Sequence, residues 1–95
     1  MYGKTTSWRK KMKIVARDAK MLELLVDAFD LYAIGLAGTL EVEGLEIALD
    51  DVELDILIDG LQSLHVVDPV GYELVLIEKL LQALGEYDDN ATVLL

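Results

Sequence analysis

The feature that most constrains this chain is a pattern that it states twice. Residues 15–32 and 47–64 match at a constant offset of 32, without a gap. Val15-Ala16-Arg17-Asp18 lines up with Ile47-Ala48-Leu49-Asp50. Leu22-Glu23-Leu24-Leu25-Val26-Asp27-Ala28-Phe29 lines up with Leu54-Asp55-Ile56-Leu57-Ile58-Asp59-Gly60-Leu61. Each copy reads as a short apolar strand, an Asp able to cap a helix N-terminus, and an amphipathic helix. Solenoids need three or more repeats, so two copies form a pseudo-repeat inside one domain. The pattern is either an internal duplication or two uses of one physical solution.

The repeat frames the expected elements. Strand one covers Lys13–Arg17, and Asp18 caps a helix over about 19–36. Leu22, Leu25, Val26, Phe29, Tyr32 and Ala33 form its apolar stripe, opposite Glu23, Asp27 and Asp30; Gly35 and Gly38 end it. Residues 39–49 read as a hairpin turning at Glu43-Gly44. That register pairs Val42 with Leu45 and Leu40 with Ile47 on an apolar face, and Glu41 with Glu46 on an acidic one. Facing carboxylates repel, so this pair requires exposure or a nearby cation. Asp50 or Asp51 caps a second helix over about 51–64, with Leu54, Leu57, Ile58, Leu61 and Leu64 inside. His65-Val66-Val67 reads as a short strand, and Asp68-Pro69 opens a third helix over about 70–86. Leu74, Ile77, Leu80, Leu81 and Leu84 are its expected inner face. Ala91–Leu95 is an edge-strand candidate.

These elements give an α+β fold: a small β-α-β-β-α-(β) sandwich of ferredoxin-like order with an additional C-terminal helix. A competing reading makes residues 7–36 one long helix. Lys and Arg at its N-terminus would oppose the helix dipole, so it ranks second.

Charge divides the chain more sharply than the net value of −10 suggests. The first 20 residues hold seven of the eight bases against Asp18 alone, +6; residues 21–95 hold 17 acids against Lys79 alone, −16. The expected organisation is therefore a basic N-terminal arm, 1–11, on a single acidic domain, 12–95. The arm has three readings: a solvated tail, a contact for nucleic acid or an anionic surface, or a strap over an acidic surface of its own or a second subunit. Trp8 beside Arg9, Lys10 and Lys11 offers a stacking or anchoring group. Charges at Lys13, Arg17, Asp18 and Lys20 interrupt any secretory h-region. The longest uncharged run, Leu31–Leu40, is half of what spans a bilayer. A cytoplasmic protein with no membrane span is expected.

Catalytic chemistry finds little support. There is no Cys, a single His and only two Ser, Ser7 and Ser63, neither in a nucleophile-elbow pattern. A calcium loop begun at Asp51 would place Ile56 where Gly is needed and Gln62 where a bidentate Glu is needed. The seven glycines form no phosphate-binding motif. His65 is expected to satisfy a helix C-terminal carbonyl. No metal and no cofactor are expected.

The expected function is a non-catalytic small acidic protein-interaction module that self-associates and binds a basic macromolecular partner. A mimic or inhibitor of nucleic acid is its strongest form. Glu41, Glu43, Glu46, Asp50, Asp51, Glu53 and Asp55 are the candidate partner contacts. Leu31, Ile34, Leu36 and Leu76 are the candidate homodimer interface, because a small domain cannot bury every apolar side chain. The alternative is a nucleic-acid or anionic-surface binder acting through residues 4–20, with Trp8, Arg9, Lys10 and Lys11 foremost.

Overall fold

The computed structural model describes residues 11–33, 40–67, 71–88 and 90–95. In chain order the elements are β1 (Met12–Val15), α1 (Ala19–Tyr32), β2 (Glu41–Glu43), β3 (Glu46–Leu49), α2 (Asp51–Val67), α3 (Gly71–Gly85) and β4 (Thr92–Leu94). The fold is α+β: one four-stranded mixed sheet of order β2-β3-β1-β4 and three helices. β1 pairs with β3 antiparallel and with β4 parallel, so the strand that carries Lys13 lies inside the sheet.

Side-chain alternation gives the sheet one dry face. Met12 and Ile14 of β1 sit opposite Leu49 and Ile47 of β3, and all four are buried. The other face carries Lys13, Val15, Glu46 and Ala48. The helices supply the rest of the core. Met21, Leu25, Ala28 and Phe29 come from α1; Leu54, Leu57, Ile58 and Leu61 from α2; Leu76, Ile77 and Leu80 from α3. α1 and α2 form the most extensive packing between elements.

The 32-residue offset survives in the helices. Asp18 caps α1, its Oδ1 accepting from Met21 N at 2.8 Å. Its counterpart Asp50 caps α2, its Oδ1 accepting from Glu53 N at 2.8 Å. Ala28 and Gly60, equivalent positions, meet where the helices cross: a Cβ at Gly60 would lie 1.8 Å from the Ala28 carbonyl oxygen. In the strands the offset fails. β1 buries Met12 and Ile14, four residues before its cap at the nearest, whereas Leu49 is buried immediately before Asp50. β3 passes straight into its helix, while β1 is followed by Ala16 and Arg17 first.

The exact ferredoxin-like arrangement is not confirmed: α3 stands between α2 and β4, and β4 pairs parallel with β1. Three further expectations need correction. Residues 65–67 are the last turn of α2 and not a strand. Val66 is 80% exposed and finds no neighbouring strand among the described residues, so the helix runs on through Val67. The hairpin turns at Gly44-Leu45, one residue later than expected, pairing Val42 with Ile47 and Glu43 with Glu46. Gly44 has φ +61° and Leu45 does not share a positive φ, the pattern of a type II′ turn, which places Gly first. Finally, α3 turns Leu76, Ile77 and Leu80 inward, leaving Leu74 and Leu81 exposed. Gly35, Gly38 and Asp68-Pro69 lie outside the described residues.

Candidate functional site

The expected acidic contacts separate into three groups. Asp50 and Glu53 form a reciprocal capping box: Glu53 N donates to Asp50 Oδ1 and Asp50 N donates to Glu53 Oε1, both at 2.8 Å. They are 9% and 8% exposed, so these carboxylates serve the helix start and not a surface. The spacing Asp-x-x-Glu before an apolar run was the readable signal for this role.

The hairpin carboxylates meet the basic strand. Lys11 Nζ lies 3.5 Å from Glu41 and 3.3 Å from Glu53, and Lys13 Nζ lies 3.8 Å from Glu46. Burial works against the Lys11 ammonium, but the adjacent Glu53 and Glu41 carboxylates outweigh it and hold its pKa above the ordinary lysine value. The observed register also replaces the expected Glu41–Glu46 facing pair with Glu43–Glu46, and Lys13 relieves it. Lys11, assigned to the arm by sequence, thus belongs to the folded body. Trp8, Arg9 and Lys10 lie outside the described residues.

The third group is the exposed side of the helix pair. Asp51 and Asp55 are exposed, and with Asp59 they recur every fourth residue, about 6 Å of rise per step along α2. Glu23, Asp27 and Asp30 make the corresponding exposed stripe on α1. Glu23 and Asp27 are the 32-residue equivalents of Asp55 and Asp59. Each ridge lies opposite the buried stripe of its helix, as an amphipathic helix requires. Among the described residues none of these six carboxylates has an ion-pair partner. The wet-stripe pattern was legible in sequence, yet Glu23, Asp27, Asp30 and Asp59 were read as solvent-facing and not as contacts.

Of the expected self-association residues, Leu31 is 48% exposed and Leu76 is inside the core at 4%. The outward apolar side chains of α3 are Leu74, Val75 and Leu81 instead. Ile34 and Leu36 lie outside the described residues. His65 stands in the last turn of α2 with its Nδ1 buried and making no hydrogen bond. Tyr32 and Ser63 join α1 to α2 by a hydroxyl–hydroxyl hydrogen bond beside a shallow groove that also includes Asp59, Gln62 and Val66.

Among the described residues no group of three or more His, Cys, Asp or Glu is arranged to hold a metal ion. None of their helices is long and apolar enough to cross a membrane. No family model, no curated protein and no solved structure matches the chain.

Proposed function

We propose that this protein is a non-catalytic interaction module that binds a basic macromolecular surface through the carboxylate ridges of α1 and α2. The observation that carries the reading is the contrast between two acidic surfaces of one domain. Glu41 and Glu46 on the hairpin each have a lysine at hand, whereas Glu23, Asp27, Asp30, Asp51, Asp55 and Asp59 have none among the described residues. An uncompensated ridge keeps its full attraction for an approaching cation and steers the encounter. Two ridges on packed helices also hold their charges at fixed spacing, which favours a partner that otherwise grips a phosphate backbone. The reading retains self-association, with exposed Leu31 as one contact.

Two variants of equal net charge test it. One carries Asp27→Lys, Asp55→Lys and Asp59→Lys; the other carries Glu43→Lys, Glu78→Lys and Glu86→Lys, also exposed positions. The basic protein captured by the wild-type chain from its source extract should be lost by the ridge variant and kept by the control. Competition by duplex DNA should release it. Equal loss from both variants would assign the acids to solubility. Retention by the ridge variant would exclude the ridges.

A further inference from the structure

In a chain so rich in acid, two of the described cations that lack an ion-pair partner stand at one pocket. Arg17 follows β1, and Lys79 lies on the outer side of α3; neither has an ion-pair partner among the described residues. Both line the same pocket, a cavity of about 230 Å³ whose walls are Met21, Val75, Leu76 and Leu95. Met21 and Leu76 are buried and form a fixed apolar floor; Val75 is 63% exposed and stands at the mouth. The polar side is also held in place. Lys79 Nζ donates to the Leu94 carbonyl at 2.9 Å, which anchors the ammonium and leaves two of its N–H groups for another acceptor. The Arg17 backbone N–H is tied to Met21 Sδ at 3.3 Å.

We infer that this pocket binds a small aliphatic monocarboxylate, its head between Arg17 and Lys79 and its chain against Met21, Val75, Leu76 and Leu95. The chemistry of the walls selects this class. A bare inorganic anion would leave the apolar floor unused, and an apolar molecule would leave two cations unanswered. A dianion would meet the repulsion of a body carrying −16 over residues 21–95. The cavity has room for about eight water-sized groups at roughly 30 Å³ each, the size of a medium-chain acid. The site is independent of the acidic ridges, and its test does not depend on them.

The probe is octanoate, titrated into the full chain below its aggregation limit while the methyl resonances of Met21, Val75, Leu76 and Leu95 are followed. Saturable shifts at these methyls are expected. Arg17→Gln and Lys79→Gln should each weaken binding about tenfold, the factor for one charge-assisted hydrogen bond. Both positions are exposed, so folding should be intact. Val75→Trp, which fills the mouth, should abolish the shifts. Octanol and inorganic phosphate should bind far more weakly. The inference is overturned if octanoate fails to saturate, if octanol binds as tightly, or if both charge variants bind unchanged.

Discussion

Gly60→Ala is the sharpest perturbation the fold offers, because two large effects of opposite sign compete at one methyl group. In favour, Ala in a helix interior is better than Gly by about 1 kcal/mol. Against, the new Cβ would lie 1.8 Å from the Ala28 carbonyl oxygen, 2.5 Å from its carbon and 3.1 Å from its Cα. A carbon–oxygen contact normally sits near 3.3 Å, so α1 and α2 must part by about 1.5 Å. A gap of 0.5–1 Å already forfeits roughly a quarter to a half of the dispersion energy of the atoms lining it. Those atoms belong to the buried side chains that the two helices contribute around the crossing, among them Leu25, Phe29, Leu57 and Leu61. Overpacking costs about 1–3 kcal/mol where side chains can yield. Here the obstacle is backbone, so the upper end applies, and the net loss should be about 2 kcal/mol after the propensity gain. For a domain of this size that lowers the melting temperature by roughly 8–16 °C. Urea denaturation followed by helical circular dichroism measures it. Adding Ala28→Gly should not rescue the variant, since the clash is with the carbonyl and not the methyl. A midpoint equal to or above the wild type would refute the close crossing.

Further outcomes follow from the caps, the turn and the half-buried Lys11. Asp50→Ala should cost about 1–2 kcal/mol in urea denaturation by removing the acceptor for Glu53 N, while Asp50→Ser should recover most of it. Gly44→Val should cost about 1–2 kcal/mol because its φ of +61° excludes a β-branched side chain; Gly85→Ala, with open space around it, should be neutral or stabilising. Lys11 has a folded pKa above its ordinary 10.5, so its stabilisation is complete below that value and fades as pH climbs through the folded pKa. The urea-midpoint difference between wild type and Lys11→Met should therefore hold constant below pH 10.5 and shrink as pH is raised beyond it, and a difference that stays constant there would remove the ion pairs from the account. Sedimentation equilibrium should show a homodimer at micromolar concentration; a mass of 10.5 kDa throughout would exclude self-association.

Local rules carried over from sequence to structure wherever one residue's chemistry decides the outcome. Asp18 and Asp50 cap their helices because a carboxylate preceding an apolar run accepts the first free N–H groups. Gly44 takes positive φ because a two-residue hairpin turn needs it. What stayed hidden depends on relations between distant segments. A two-residue shift in pairing keeps every hairpin side chain on its own face, so alternation alone could not separate Glu43-Gly44 from Gly44-Leu45. α3 offers Leu, Val or Ile on several faces, and only its packing against α2 selects Leu76 over Leu74. Residues 65–67, with β-branched Val66 and Val67, form no strand because no described neighbour is there to pair with, a fact that lies outside their own sequence. For the candidate site, the acids were countable from the start. Which of them a lysine neutralises became visible only when β1 was placed beside β3 and the start of α2.

Zero-length carbodiimide coupling on the native complex with its captured partner tests the central claim most directly, because it joins a carboxylate to a lysine only where the two touch. Lys11 with Glu41 and Glu53, and Lys13 with Glu46, provide internal references within the chain. The account predicts intermolecular links from partner lysines to Glu23, Asp27, Asp55 and Asp59 on the two helix ridges. Links confined to the hairpin or the N-terminal segment, or a stable complex with no link to either ridge, would contradict it.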